Sequence, residues 1–211
     1  MRCLSFARLS AVSWSAAIAS VALVLASSAA TAQTNVRIRG TITAIDTATM
    51  SLKSRSGEDL TMALDEKLGV AVATAAKFED IKPNDYVGSA AMKGADGKLV
   101  ALEVHFLPAT VPAGHTPWDL EPGSTMTNAN VVEARVQSSG GAGVRELQLK
   151  YKDGEQTIMV PPNAPVVRAV PGTRADLKVG EYVFVAAQKA ADGKLTALRV
   201  QVSKNGVKPP Q

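Results

Sequence analysis

The chain has two histidines, His105 and His115, and they flank the entry to a stretch rich in proline and glycine. Glu103 lies two positions before His105, so on a strand the two side chains share one face. Together with Asp119 or Met126, the set His105, His115 and Glu103 offers the imidazole, carboxylate and thioether donors that copper or zinc accepts. The short, fixed spacing of a dedicated ligand set is missing. The expectation is therefore no cofactor, with a divalent metal such as copper or zinc as the alternative. In the plainer reading His105 is a surface residue and His115 bonds to nearby backbone.

Other chemistry finds less support. Ser51, Ser54 and Ser56 stand in no nucleophile elbow, no pair of carboxylates is singled out, and no phosphate loop is present. The run from Ser138 to Gly143 reads as a hairpin tip, because no helix follows it. We expect no enzyme, and a small hydrolase is the weakest of three readings. Binding is more natural: Arg37, Arg39 and Arg135, with Lys53 and Lys150, fall at outward strand positions, where a barrel face meets anionic or sugar ligands. Stacking recognition lacks exposed aromatics, since Tyr86 and Tyr182 read as core or turn residues, and a solvated charged face is the bland counterpart.

The N-terminus sets the compartment. Arg2 and Arg8 precede an apolar run from Ala11 to Ala26, and Ala30-Thr31-Ala32 supplies the small residues of a cleavage site. This is the pattern of a secretory signal, residues 1–32, and it directs the chain to the periplasm. The run holds Ser13, Ser15 and Ser20 and is short of the roughly 20 apolar residues of a spanning helix. Cleavage would remove Cys3, the only cysteine, and Trp14, leaving Trp118 as the single tryptophan. The net charge of +4 would fall by those two arginines to +2, which argues against a nucleic-acid partner.

Self-similarity is the strongest architectural signal. The segment from Asp80 to Val87 returns from Asp176 to Val183, and the match continues from Ala90-Ala91 through Asp96-Gly97-Lys98-Leu99 to Val104, repeated from Ala186-Ala187 through Asp192-Gly193-Lys194-Leu195 to Val200. Further upstream, Val36, Ile38 and Arg39 align with Val132, Ala134 and Arg135, and Leu52-Lys53 with Leu149-Lys150. Val36, Ile38, Gly40 and Ile42 alternate with polar residues, and Val100, Leu102, Val104 and Phe106 form another inward set that leaves Glu103 and His105 outside. In the second copy Leu198, Val200 and Val202 face inward. Asp96-Gly97 and Asp192-Gly193 signal tight hairpins, and single helical turns fit near 77–81 and 174–177. The fold expected is all-β: two tandem six-stranded antiparallel barrels, OB-like or similar, at 33–108 and 130–205. An ordered strap at 109–129 joins them and a tail follows at 206–211.

The strap has no counterpart in the other copy. It carries Trp118, Leu120 and Met126, which gain by burial, so it is expected to pack rather than to float. Its runs Gly114-His115-Thr116-Pro117-Trp118-Asp119-Leu120 and Pro122-Gly123-Ser124-Thr125-Met126-Thr127-Asn128 resemble the signature of a family of exported bacterial proteins. In that family G-H-R-P-W-D-L precedes P-G-S-T-M-T-N-A, so Thr116 stands here in place of the arginine. The strand Ala101-Leu102-Glu103-Val104-His105-Phe106 and the closing Gly206-Val207-Lys208-Pro209-Pro210 resemble the same family. It is a domain of unknown function, number fifty-six sixty-six. Its members are sometimes labelled metal ABC transporter permeases, which does not suit a chain without several spanning helices. The resemblance implies architecture and no activity. Taken together, the sequence reads as a periplasmic, non-enzymatic binding or scaffold protein for an unknown protein or small ligand, with contacts at His115, Trp118, Asp119, Arg37 and Arg39. A metal-binding accessory protein using His105 and His115 is the alternative.

Overall fold

A strand with one buried face needs apolar residues at every second position, and residues 33–137 and 144–210, which the computed structural model describes, consist largely of such strands. They are β1 (Thr34–Ile45), β2 (Thr49–Ser54), β3 (Asp59–Ala76), β4 (Tyr86–Lys93), β5 (Leu99–Phe106), β6 (Gly114–Pro117), β7 (Thr125–Gln137), β8 (Val144–Tyr151), β9 (Gly154–Val160), β10 (Val166–Pro171), β11 (Tyr182–Lys189) and β12 (Leu195–Val202). Single 3-10 turns lie at Phe78–Asp80 and Arg174–Asp176, where helical turns were expected. The signal segment with Cys3 and Trp14, and the hairpin tip at 138–143, lie outside the described residues. Among the described residues no helix is long and apolar enough to cross a membrane.

Five strands close into a barrel. β1 pairs antiparallel with β2 and β11, β2 with β3, and β11 with β12, while β12 runs parallel to β3 and completes the circuit. Ile38, Ile42, Leu52, Met62, Val183 and Val200 fill it. Five of the other strands make a second ring, β9-β8-β7-β4-β5, closed over two residue pairs, Leu99 opposite Ile158 and Val100 opposite Met159. Val87, Val104, Leu147, Leu149 and Ile158 fill that ring, with Phe78 of the first 3-10 turn. Each such side chain removed from water contributes about 1.5–3 kcal/mol.

The rings do not close within the expected ranges 33–108 and 130–205. Each takes three strands from one part of the chain and two from the other, and β3 is the reason. At 18 residues it outruns one ring: Gly69 to Val72 still pair with β12 in the barrel, and from Ala71 to Ala76 the strand also pairs antiparallel with β10, Ala73 facing Ala169. Chain that exits this way gives β4 and β5 to the other ring, and the barrel is completed by β11 and β12. With β12 alongside β3 and β5 alongside β10, four strands form a seam between the rings.

The register also corrects two finer readings. Val36 faces Ala187 and Thr125 faces Ala91, so Val36 corresponds to Thr125, and Arg39 to Asn128, rather than to Val132 and Arg135. The alignment slipped because the β7–β8 hairpin is longer: Val131 faces Leu149, whereas Ile42 faces Leu52. Matching bulges at Ala90/Ala91 and Ala186/Ala187 break the alternation of β5 and β12. Ala101 and Ala197 therefore face inward in place of Leu102 and Leu198, which lie outside the two ring cores. Asn84 and Gly180 share a left-handed backbone, with φ of 72° and 91°.

Candidate functional site

Two neighbouring features gather the polar and aromatic residues that the sequence singled out. The first is the strap. β6 pairs with the start of β7, and Glu121-Pro122-Gly123-Ser124 turns the chain between them. Gly123 takes φ of +82° and Ser124 N donates to Glu121 O at 3.0 Å, a type II turn with proline and glycine in their preferred places. The Ser124 hydroxyl donates to the carbonyls of Trp118 and Glu121, locking the hairpin. Leu120 and Met126 are buried against Ala90, with Leu102 and Trp118 packed alongside.

Three arginines from the first barrel hold this hairpin. Arg37 Cζ sits 4.3 Å from the centre of the Trp118 ring, Arg39 Nη2 donates to Asp119 Oδ1 at 2.8 Å, and Arg55 Nη2 donates to Leu120 O at 2.7 Å. Arg37 Nη1 is also 4.0 Å from Asp119 Oδ2. Partial burial works against ionisation of Asp119, yet the Arg39 hydrogen bond and the charges of Arg39 and Arg37 outweigh it and hold the carboxyl below its usual range. Arg39 is on the outer strand face, as expected, but is not solvated: its side chain is 6% exposed. Trp118, Asp119, Arg37 and Arg39 thus form one cluster, which His115 does not join. His115 Nδ1 lies 2.8 Å from the Thr127 hydroxyl.

The proposed metal ligands are not brought together. His105, Gly88, Asn128 and Gly114 form one cross-strand row, whereas Val104, Ser89, Thr127 and His115 form the next. Successive rows point to opposite faces of a sheet, so the two imidazoles face apart. Among the described residues no group of three or more His, Cys, Asp or Glu side chains could hold a metal ion. His105 is no surface residue either, at 6% exposed. Glu103 shares its face, with Oε1 3.6 Å from His105 Nδ1, but burial dominates and pushes the His105 pKa down to about 4, leaving the ring neutral.

The second feature is a cavity of about 640 Å³ on the seam. Phe106, Trp118 and Phe184 supply aromatic wall, and Ala169 and Val170 of β10 also line it. Three buried polar atoms of lining residues have no hydrogen-bond partner: His105 Nδ1, Asn128 Oδ1 and Gln201 Oε1. Gly88 is what lets the imidazole lie across β4, since a methyl there would fall 2.4 Å from His105 Nε2 and 2.9 Å from Asn128 Oδ1. In a second cavity, about 710 Å³ and lined also by Lys77, Glu103 and Lys208, Arg145 pairs with Glu79 at 3.4 Å and lies over the Phe78 ring. The sequence reading missed Asn128, Gln201, Phe184, Arg168 and Arg199 as cavity residues. The one signal, and for Gln201 alone, was the repeat, which aligns it with His105.

Residues 166–201 match the model of a family described as Domain of unknown function (DUF5666), the family that the sequence resembles. No curated protein and no solved structure matches the chain.

Proposed function

We propose that this chain, with its DUF5666 match running from β10 to β12, is an exported, periplasmic, non-enzymatic binding protein that takes a small ligand at the seam of its two rings. In this reading the rings are OB-like units of one duplication that have exchanged strands, and the strap is the clasp that holds them together. The observation that carries it is the seam cavity. It has the size and apolar character of a ligand pocket, and three buried polar atoms of its lining lack partners. Native proteins rarely leave such atoms unpaired, and a bound molecule would satisfy them. The strap contacts assigned to partner capture are taken up internally by Arg37, Arg39 and Arg55, so the ligand belongs beside the strap and not on it.

Trp118 lines the cavity and is the single tryptophan of residues 33–211, which makes it a reporter. Protein recovered from the periplasm is titrated with the uncharged dye N-phenyl-1-naphthylamine, and energy transfer from Trp118 is followed. Saturable transfer with one dye per chain is expected. Dye emission no different from buffer would remove the reading.

A further inference from the structure

We infer that the seam cavity selects organic acids, molecules with a ring-sized apolar body, an O–H or N–H donor and a carboxylate. The inference rests on the binding reading above and narrows it to a chemical class. Two sets of groups carry it.

The first is charge. Arg168 and Arg199 line the cavity and no aspartate or glutamate does. Each of the other arginines among the described residues is already held. Arg37, Arg39, Arg135 and Arg145 have carboxylate partners, and Arg55 and Arg174 donate to backbone carbonyls. Arg168 and Arg199, both exposed, have no such acid. The Arg168 guanidinium lies 3.5 Å from the centre of the Phe106 ring. Stacking of this kind fixes the fork while leaving its N–H groups to meet a planar carboxylate.

The second is the buried set. Asn128 Nδ2 donates to Pro112 O at 3.3 Å, which fixes Oδ1 as the free acceptor. Gln201 Oε1 is a second acceptor, and beside them lies the neutral, buried His105, whose Nδ1 makes no hydrogen bond and is 3.6 Å from Glu103 Oε1. Carbonyl oxygens accept and do not donate, so the inner end of the ligand must bring N–H or O–H groups. A carboxylate would be repelled there and belongs at the arginines. Phe106, Trp118 and Phe184 supply the apolar wall for the body between. An ammonium ligand would meet two uncompensated guanidiniums, and a neutral sugar would leave both unanswered.

The test compares one ring with three tails by calorimetry: 4-hydroxyphenylacetate, its amide 4-hydroxyphenylacetamide, and tyramine, with phenylacetate as the acid lacking the inner donor. The acid should bind about tenfold or more tighter than the amide, a difference of about 1.4 kcal/mol, with tyramine weaker again and phenylacetate weaker than its hydroxylated form. In an Arg168→Ala, Arg199→Ala variant, whose substitutions are at exposed positions, acid and amide should become equal while N-phenyl-1-naphthylamine still binds. Equal affinity for acid, amide and amine in the unaltered protein overturns the inference, and so does an acid preference that survives loss of both arginines. Dye binding with no binding of any of the four compounds also overturns it and leaves the binding reading standing. Failure of the dye as well removes both.

Discussion

Asp119 is where the clasp between the rings can be broken with one atom group. Its Oδ1 accepts from Arg39 Nη2 at 2.8 Å, and the Arg39 side chain is 6% exposed while that of Asp119 is 47% exposed. A hydrogen bond between charged partners is worth about 1.5–3 kcal/mol when one of them is left buried without it. The open side of Asp119 places it in the lower part of that range, and the half-exposed Arg37 at 4.0 Å adds only a few tenths of a kcal/mol. Asp119→Ala should therefore cost about 2 kcal/mol and lower Tm by about 4–8 °C for a domain of this size. Urea unfolding followed by Trp118 fluorescence measures the cost. A double-mutant cycle with Arg39→Met isolates the pair, with an expected coupling above about 1 kcal/mol. The surface pair Lys53–Asp59, 3.7 Å apart with both side chains more than half exposed, is the comparison. If Asp119→Ala unfolds no more easily than Asp59→Ala, the clasp argument is refuted.

Three further outcomes follow from the same geometry. His105 is pushed down to about 4 by burial, whereas an unfolded chain takes the same proton near 6.5. The folded state should then lose stability as pH falls from about 6.5 to about 4, by up to about 3 kcal/mol, and His105→Gln should flatten that part of the urea-midpoint profile. Asp119, whose pKa is depressed, should hold the clasp at neutral pH and release it only as pH falls below the ordinary carboxylate range, so the Asp119–Arg39 coupling should vanish in strong acid. Gly88→Ala should destabilise by about 1–3 kcal/mol, because its methyl collides with His105 Nε2 and Asn128 Oδ1. His105→Ala in the same chain should recover part of that loss in a thermal melt.

How far the sequence could be read depended on the range of the signal. Alternation in Val36–Ile42 placed Ile38 and Ile42 in a core, and the paired helical turns were found where the sequence pointed. These are local preferences. Which strands share a ring is not local: it follows from the length of β3, and a run of eighteen residues does not announce that its end will pair with β10. The bulges at Ala90/Ala91 and Ala186/Ala187 leave no mark in an alternating pattern, yet each shifts the inward set of its strand's first half, to Ala101 rather than Leu102 and to Ala197 rather than Leu198. Glu103 and His105 do point out of the ring beside the inward Val104, and were read as surface residues because alternation does not show that other chain covers that face. Trp118, Asp119, Arg37 and Arg39 were picked out as separate hints from two elements about eighty residues apart, and the fold joins them. Gln201 and Asn128 drew no attention because amides are unremarkable until burial strips them of water.

The account turns on whether a ligand sits at the seam. Ala169, in the β3–β10 pair, exposed and lining the cavity, offers a direct measurement: N-phenyl-1-naphthylamine titration of the Ala169→Phe variant beside the unaltered protein. A phenyl ring there should abolish saturable transfer from Trp118 while the unfolding midpoint stays in place. Undiminished transfer in the filled variant would contradict the account and put the bound dye elsewhere.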